Sequence, residues 1–223
     1  EAGVSRLSPL IAPEDVYIVT DTRYAPLVRE VAPQVPAANI IGEPFGRNTA
    51  AAVALMAHAI DRPADEIMVV LPADQAVQDE AGFRDALAAA ADRAAEGDLV
   101  TLGVEPTEPS TGYGYVRSTG EAAEHGGRPT YRVERFEEKP TPERARELIA
   151  SRSAYWNAGI FVWQRSAAIA GLESYSADLS DPMRDWCATS APSGEAGLPG
   201  EAMAETYRDL RDTSIDYALL EPA

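Results

Sequence analysis

The sequence predicts an α/β fold with a mixed, mostly parallel sheet, helices on both of its faces and an antiparallel excursion. Three apolar runs without alternation, at 16–20, 67–71 and 99–104, are typical of strands that are buried on both faces. Segments with the apolar spacing of helices separate these runs. Because strand and helix alternate in this way, we expect right-handed crossovers around a single sheet.

Each element of the first half has its own local signal. The helix expected at 49–60 is the clearest, since Met56 and Ile60 recur on its apolar face. Asn48 or Thr49 is its natural N-cap. The expected order is a helix end at 4–10, a strand at 16–20, a helix at 24–31, a strand at 39–41, the helix at 49–60, a strand at 67–71, a helix at 79–96 and a strand at 99–104.

The pattern changes in the second half of the chain. Apolar and polar residues alternate at 113–117 and 131–136, which predicts two antiparallel strands joined by the turn-rich segment Gly120–Pro129. The elements expected beyond them are a helix opened by Thr141 and Pro142, a strand at 156–163, and helices from Ser166 onward that are interrupted by a flexible loop at Pro192–Gly200. We expect all of these elements to form one domain over residues 1–223.

Composition limits the classes of function. The 223 residues carry a formal net charge of −17 and a pI near 4.4, which argues against nucleic acid and membrane surfaces as partners. Lys139 is the only lysine among 19 cationic side chains, so it stands out. The single cysteine, Cys187, precludes an internal disulfide and agrees with a reducing, cytoplasmic location. No apolar run approaches the ~18 residues of a membrane span.

The stretch Ile67–Gln75 predicts a ligand site at a strand end. Pro72 stops the hydrogen-bond ladder of the strand, and Asp74 follows directly. Ligands of open α/β sheets bind outside the carboxyl ends of the strands, where a carboxylate can hold a metal ion or a nucleotide. The alternative is that Asp74 belongs to a turn or caps the helix that begins near Asp79.

The segment Glu43–Thr49 leads into the alanine-rich helix. Free backbone amides at a helix N-terminus, together with Arg47, can bind an anion or another polar ligand. The alternative is that Asn48 and Thr49 only cap the helix.

Two later segments carry polar side chains that suit a sugar phosphate. In Phe136–Pro140, alternation along the strand directs Glu138 and Lys139 to opposite faces, where they could hold a sugar hydroxyl and a phosphate at different points. Asn157 offers an amide for hydroxyl recognition beside Gly159, which lets a ligand approach the backbone. The alternatives are a solvated charge cluster at a strand end and an ordinary core strand.

Other candidate residues carry less specific signals. Gly112 and Gly114 beside tyrosines describe either a ligand contact or a tight entry into a strand. His58 and His125 lack the spacing of metal ligands, and Cys187 has no base nearby in the sequence. We expect these last three residues to be structural.

Taken in order along the chain, the motifs resemble those of the sugar-nucleotide pyrophosphorylases. The Glu-Lys-Pro and Asn-Ala-Gly motifs are shared across that nucleotidyltransferase family. The Glu-Pro-x-Gly-Arg-Asn-Thr loop and the Ser-Ile-Asp-Tyr ending narrow the resemblance to its mannose-1-phosphate guanylyltransferase branch. The segments that carry it are Gly42–Ala50, Leu71–Asp74, Gly112–Tyr115, Phe136–Pro140, Trp156–Phe161 and Ser214–Glu221.

The resemblance implies a Rossmann-like nucleotide-diphospho-sugar transferase fold and an enzyme that makes GDP-mannose and pyrophosphate from GTP and mannose 1-phosphate. It implies Mg²⁺ as the cofactor, with Asp74 as a catalytic metal ligand and Lys139 as a catalytic contact to the sugar phosphate. Glu138 and Asn157 would bind mannose hydroxyls. The implied nucleotide-binding residues are Glu43, Gly46, Arg47, Asn48 and Thr49, and the other implied sugar-phosphate-binding residues are Gly112, Tyr113, Gly114 and Gly159.

Two alternatives stay open at the level of sequence. One is a pyrophosphorylase for another pair of nucleoside triphosphate and hexose 1-phosphate, and the other is a non-catalytic paralogue that binds a nucleotide sugar. The family's glycine-rich signature is expected before Glu1 and its second metal-binding aspartate after Ala223, so we expect the 223 residues alone to be poorly active. Gln75 stands where the guanylyl branch has histidine. A homodimer is compatible with the sequence.

Overall fold

The computed structural model describes residues 2–189 and 201–223. The strands are β1 (Ile18–Asp21), β2 (Ile40–Glu43), β3 (Ile67–Val70), β4 (Val100–Val104), β5 (Tyr115–His125), β6 (Arg128–Glu137) and β7 (Ala154–Gln164). The α-helices are α1 (Ala2–Ser5), α2 (Ala25–Val31), α3 (Asn48–Ala59), α4 (Glu80–Ala94), α5 (Pro142–Ala150), α6 (Arg165–Tyr175), α7 (Ala177–Thr189) and α8 (Glu201–Asp209). Two 3-10 turns cover Pro13–Asp15 and Ala37–Asn39, and a π-helix covers Asp216–Leu220.

The main sheet is built around β7. β3 and β4 pair with its carboxyl-terminal half from opposite edges, so that Val162 pairs with Val69 on one side and with Val100 on the other. Both pairings are antiparallel, whereas β1 and β2 pair in parallel as a separate two-stranded sheet. The predicted α/β class is confirmed. The expected mostly parallel pairing is corrected, because β7 enters between β3 and β4, which run in the same direction.

β3 and β5 lie on the same edge of β7 and leave a gap between them. Trp156 pairs with Val104 of β4 on one edge and with Tyr115 of β5 on the other, so β5 lies on the edge that β3 occupies further along. The register of β3 ends at Phe161, and that of β5 begins at Trp156. Within the described chain, residues 158–160 therefore have no strand on this edge. The carboxyl end of β3 faces the start of β5 across this gap.

The antiparallel excursion is a longer hairpin than predicted. β5 and β6 pair as far as His125 and Arg128, so the turn is Gly126–Gly127 alone, and the expected turn segment Gly120–Pro129 is mostly strand. Residues 119–124 are exposed. A strand without a buried face has no alternation of apolar and polar residues to reveal it, which is why the sequence pattern stops too early.

From α2 onward the helix boundaries agree with the predictions to within a few residues, but the helix end expected at 4–10 is wrong, because α1 ends at Ser5 and turns follow it. The capping of α3 also differs from the prediction. Asp79 caps α4 and Thr141 caps α5, since each side chain accepts from a backbone amide three residues later, at 2.9 and 3.3 Å. The predicted caps Asn48 and Thr49 lie inside α3, which begins at Asn48. The actual N-cap residue, Arg47, makes no side-chain cap bond.

The largest core cluster packs α3 against α6, α7 and the sheet. Ala50, Ala54 and Ala57 of α3 are fully buried, because alanine lets the neighbouring elements approach closely. Phe161 and Trp163 of β7 stack with their ring centroids 5.6 Å apart and belong to the same cluster. This packing holds the carboxyl-terminal half of β7, and with it the gap on its edge, in a fixed position.

Two further expectations concerned membrane-spanning segments and a flexible loop. No helix in the described part of the chain is long and apolar enough to cross a membrane. The flexible loop predicted at Pro192–Gly200 lies outside the described residues.

Candidate active site

The candidate site lies at the gap on the edge of β7. Four segments meet there: the loop Pro72–Gln75 after β3, Gly114 before β5, Glu138 and Lys139 after β6, and Asn157–Gly159 within β7. Gln75 fastens the first of these segments by donating from Nε2 to Ala158 O at 2.5 Å. Pro72 lies against Gly159, since a Cβ added to that glycine would be 3.6 Å from Pro72 Cγ.

Asp74 is available to a ligand. Its side chain is exposed and makes no hydrogen bond or ion pair with residues 2–189 or 201–223. Because Asp79 caps α4, the capping alternative for Asp74 is removed. The described residues contain no group of three or more His, Cys, Asp and Glu side chains placed to hold a metal ion. A single carboxylate still fits an Mg²⁺ site, because substrate phosphates and water can complete the coordination.

The amide of Asn157 is held from three sides. Its Nδ2 donates to Asp216 Oδ1 at 2.8 Å, and its Oδ1 accepts from Thr101 Oγ1 at 2.9 Å and from Gly159 N at 3.1 Å. The last contact requires the chain to bend back directly after Asn157. Gly159 makes that bend with φ at +67°, a conformation in which a side chain would be strained.

Gly114 lets Glu138 approach the backbone of the site. Gly114 O accepts from Asn157 N at 2.8 Å, which continues the pairing of β5 with β7 by one residue. A Cβ on Gly114 would collide with Glu138 Oε2, so any other residue at this position would displace the carboxylate. The glycine predicted to contact the sugar therefore has a direct structural reason to be there.

Glu138 and Lys139 lie together, which corrects the expectation that they diverge. Lys139 Nζ is 3.6 Å from Glu138 Oε1. The alternation that predicted divergence ends with β6 at Glu137, and Lys139 adopts a positive φ of 46°. Glu138 is only 10% exposed, whereas Lys139 is 61% exposed. Burial and the nearby carboxylate of Asp216 raise the pKa of Glu138, and Lys139 opposes this rise.

The predicted nucleotide loop at 43–49 begins with a buried carboxyl group. Glu43 Oε1 accepts from the hydroxyl of Tyr207 at 3.0 Å, and both side chains are buried. Burial raises the pKa of Glu43 to about 7, and the carboxylate of Asp21 adds to the rise, while the hydrogen bond from Tyr207 opposes it. Glu43 therefore joins β2 to α8 inside the protein.

Two further members of the loop also contact the end of the chain. Arg47 donates from Nε to Tyr207 O at 2.8 Å and from Nη2 to Arg208 O at 2.6 Å. Thr49 Oγ1 accepts from Ile215 N at 2.9 Å. These contacts fasten the loop to residues 207–215.

Gly46 and Asn48 remain exposed within the same loop. Asn48 has a positive φ of 63°, and its Oδ1 accepts from Thr49 N at 2.9 Å. Thr49 is exposed as well, whereas Glu43 is buried and Arg47 is half-buried. Gly46, Asn48 and Thr49 are therefore the accessible members of the five predicted nucleotide-binding residues.

Tyr113 borders the site with an aromatic side chain that is 52% exposed. Its ring centroid lies 5.1 Å from that of Trp156, the residue before Asn157. Gly112 is exposed, and its N donates to Ser110 Oγ at 3.2 Å. A ligand in the gap could contact this aromatic pair from the side of β5.

The histidines and the cysteine lie outside this grouping. His58 Nε2 is 2.9 Å from Ser180 Oγ, and His125 Nδ1 is 2.9 Å from Thr130 Oγ1. Burial raises the pKa of Cys187 to about 11, which disfavours its reactive thiolate form.

Sequence reasoning missed two residues that hold Asn157. Thr101 and Asp216 each hydrogen-bond its amide, and neither was assigned a role. Asp216 lies in the segment Ser214–Glu221 that carries part of the family resemblance, so a signal was present without an indication of its contact. Thr101 gave no signal, because a threonine in a strand is ordinary.

Comparisons with known proteins agree with this architecture. Residues 4–198 match the protein family described as Nucleotidyl transferase. Alginate biosynthesis protein AlgA of Pseudomonas aeruginosa is 38% identical over 183 residues, which cover 82% of this chain and 37% of that protein. Mannose-1-phosphate guanylyltransferase of Escherichia coli is 35% identical over 222 residues, which cover 98% of this chain and 46% of that protein. The chain thus spans less than half the length of these curated relatives.

Two solved structures share the fold over the whole of this chain. The crystal structure of mannose-1-phosphate geranyltransferase from Thermus thermophilus is 32% identical with a TM-score of 0.82, and the chain covers 61% of it. The crystal structure of mannose-6-phosphate isomerase from Helicobacter pylori is 27% identical with a TM-score of 0.80, and the chain covers 84% of it. These similarities confirm the predicted type of α/β fold.

Proposed function

Because the chain belongs to the nucleotidyl transferase family, we propose that its protein is a guanylyltransferase that converts GTP and mannose 1-phosphate into GDP-mannose and pyrophosphate. Relatives named mannose-1-phosphate guanylyltransferase, 35–37% identical to the chain, support this substrate pair. The observation that carries the proposal is the convergence of the Asp74 loop, Glu138, Lys139 and Asn157 at the gap in β7.

The reaction requires two anionic groups to approach each other. An oxygen of the sugar phosphate attacks the α-phosphorus of GTP, and the bond to pyrophosphate breaks as the new P–O bond forms. Catalysis then consists mainly of positioning and of neutralising charge. In a chain with a net charge of −17, the cations placed at the site must supply that neutralisation locally.

Lys139 is suited to the sugar phosphate. Its side chain is largely exposed, and its Nζ is only 3.6 Å from the mostly buried carboxylate of Glu138, so the two form a donor and an acceptor side by side. A sugar phosphate presents the complementary pair, a phosphate that accepts and a hydroxyl that donates. In this arrangement Lys139 contacts the phosphate, while Glu138 and Asn157 bind the hydroxyl groups of mannose.

Asp74 would hold Mg²⁺, the cofactor that this reaction class implies. When bound, Mg²⁺ would neutralise phosphate charge and orient the phosphate oxygens. The accessible carboxylate of Asp74 fits this role, because its oxygens have no partner within the described chain. The bond from Gln75 to Ala158 O keeps the loop that carries Asp74 against β7.

The remaining predicted residues border the two substrates. Gly46 and Asn48 would face the nucleoside, while Glu43, Arg47 and Thr49 hold their loop on residues 207–215. On the sugar side, Gly112, Tyr113, Gly114 and Gly159 would line the gap. A homodimer, a cytoplasmic location and the lack of nucleic-acid and membrane partners stay predictions.

The proposal is tested by following pyrophosphate release from the full-length gene product. GTP, ATP, UTP and dTTP are each offered with mannose 1-phosphate and with glucose 1-phosphate in the presence of Mg²⁺. We expect the highest kcat/KM with GTP and mannose 1-phosphate. A preference for another pair would replace the substrate assignment, and binding of GDP-mannose without turnover of any pair would favour a non-catalytic protein.

Asp74→Asn tests the metal assignment in the same assay. Asparagine keeps the shape of the side chain but loses the negative charge, so we expect Mg²⁺-dependent turnover to fall roughly a hundredfold. Asp65→Asn is the matched control, because Asp65 is an exposed aspartate at the opposite end of β3. Equal activity of the two variants would contradict a metal-binding role for Asp74.

A further inference from the structure

We propose that Asp216 is a positioning residue that fixes the amide of Asn157 as a hydrogen-bond donor to a substrate oxygen. The inference rests on the proposed function, which brings the sugar phosphate to Asn157. It adds a residue to which neither the comparisons nor the family resemblance gives a role. It also specifies how Asn157 takes part, since an amide can either donate or accept.

The neighbours of Asn157 allow only one of the two possible orientations of its amide group. Asp216 Oδ1 can only accept as a carboxylate, so it requires the Nδ2 side of the amide at 2.8 Å. Gly159 N can only donate, so it requires the Oδ1 side at 3.1 Å. A flipped amide would place oxygen against carboxylate and two N–H groups against each other. Both contacts would then be repulsive.

The oxygen of the amide is already occupied. Thr101 Oγ1 is 2.9 Å from Asn157 Oδ1 and 3.1 Å from Ile160 O, so the shorter contact is the one to the amide. Together with Gly159 N, this hydroxyl fills the two acceptor positions of Oδ1. Within the described chain, the second N–H of Nδ2 is the one polar group of this side chain without a partner. It is therefore available to a ligand. Asn157 is therefore set to donate to a sugar oxygen.

The carboxylate of Glu138 complements that donor. Glu138 lies against Gly114, whose carbonyl accepts from Asn157 N, and its electrostatic neighbours include Asp216. A hydroxyl group can accept from Asn157 and donate to a carboxylate at the same time. Asn157 and Glu138 therefore recognise a sugar hydroxyl together. A sugar carbon that carries no free hydroxyl could not pair with both side chains.

The position of Asp216 also joins the two halves of the site. The preceding residue, Ile215, donates its N–H to Thr49 Oγ1 in the predicted nucleotide loop. Two consecutive residues therefore contact the two sides of the site. Ile215 contacts Thr49 on the nucleotide side, and Asp216 contacts Asn157 on the sugar side. The start of the π-helix at Asp216 sets the relative position of these two contacts.

A double-mutant cycle tests this role in the full-length protein. Asp216→Ala, Asn157→Ala and the double variant are compared with wild type in KM for mannose 1-phosphate, KM for GTP and the midpoint of thermal unfolding. If Asp216 acts through Asn157, Asp216→Ala raises KM for mannose 1-phosphate about tenfold, the lower end of the loss seen when the partners that orient metal ligands are removed. In the Asn157→Ala background the same change adds less than about twofold.

The conservative variant Asp216→Asn separates hydrogen bonding from charge. Its amide oxygen can still accept from Asn157 Nδ2, so we expect KM for mannose 1-phosphate within about threefold of wild type. Glu221→Gln, an exposed carboxylate at the end of the same π-helix, is the charge control and should leave KM unchanged. Unfolding midpoints within a few degrees of wild type would show that the kinetic effects come from folded protein.

Additive effects of Asp216→Ala and Asn157→Ala would overturn the inference, as would an equal loss in Asp216→Asn. The same cycle read from the Kd of GDP-mannose by calorimetry does not require turnover. A coupled cycle in Kd, with no pyrophosphate release from wild type, would overturn the proposed function but support the positioning role. Pyrophosphate release from wild type together with an additive cycle would support the proposed function and overturn the positioning role.

Discussion

The loop at 43–49 and the gap in β7 were assigned to substrate on the same grounds, but they are built differently. In the loop, Glu43, Arg47 and Thr49 all contact residues 207–215. At the gap, Lys139 is 61% exposed and Asp74 makes no hydrogen bond or ion pair with the described residues. A motif that a family shares can thus contain residues that bind a ligand or residues that hold the binding surface in place.

Burial gives the physical reason for this difference. A buried polar group must be paired within the protein, because its loss of water is otherwise uncompensated. The carboxyl of Glu43 and the ring of Tyr207 are buried together and satisfy each other. An exposed cation such as Lys139 keeps its hydration until a ligand replaces it. We therefore expect variants of the loop to lose stability first and variants at the gap to lose activity first.

The largest expected effect is on turnover in Lys139→Met. Methionine keeps the length of the side chain but removes the cation that we place on the sugar phosphate, so kcat/KM for mannose 1-phosphate should fall roughly a hundredfold. The free energy of unfolding should hardly change, because the Lys139 side chain is 61% exposed. Pyrophosphate release and urea unfolding measure the two quantities.

Arg146→Met is the matched control for this variant, since Arg146 is an exposed cation on α5. It should retain wild-type kinetics. A loss of activity in Arg146→Met equal to that in Lys139→Met would show that general surface charge, and not a contact at the gap, explains the effect.

Arg47→Met should have the opposite profile. It removes two hydrogen bonds from a guanidinium to the carbonyls of Tyr207 and Arg208, so the free energy of unfolding should fall by about 2–3 kcal/mol. KM for GTP should change less than about threefold at a temperature where the variant is folded. Arg208→Met, which removes an exposed side chain from the same contact region, serves as the control. Unchanged stability with a tenfold rise in KM for GTP would make Arg47 a direct ligand contact.

A gradual effect is expected in the pH dependence of stability. Burial raises the pKa of Glu43 from 4.5 to about 7, so the folded protein holds a proton that the unfolded chain releases between these values. The contribution of Glu43 to stability is fully present below pH 4.5 and is lost as pH rises through 7, with a total change of about 3 kcal/mol. Glutamine stays neutral at every pH. Urea unfolding from pH 5 to 8 should therefore show Glu43→Gln gaining stability relative to wild type, and a constant difference would contradict the buried carboxyl.

The sequence predicted what depends on local periodicity. The positions of β3, α4 and β7 follow from apolar patterns a few residues long, and the structure reproduces them closely. The insertion of β7 between β3 and β4 could not be predicted, because apolar runs show that a strand is buried but not which strand lies beside it.

For the site as well, residues in short motifs could be predicted, whereas contacts between distant positions of the chain could not. Glu138, Lys139 and Asn157 were identified from short motifs. The bond from Asn157 to Asp216 spans 59 positions, and the bond from Tyr207 to Glu43 spans 164, so no local pattern announces either of them. The divergence of Glu138 and Lys139 was wrong because β6 ends one residue before the pair.

The most direct test of the contrast between loop and gap is the affinity for GDP-mannose in the matched pair Lys139→Met and Arg47→Met. Both variants replace one cation by methionine, and calorimetry on folded, full-length protein measures the Kd of each. We predict a loss of about tenfold in Lys139→Met and of less than about threefold in Arg47→Met. The reverse order would contradict the account, since the loop at 43–49 would then hold the ligand and the gap in β7 would only support the fold.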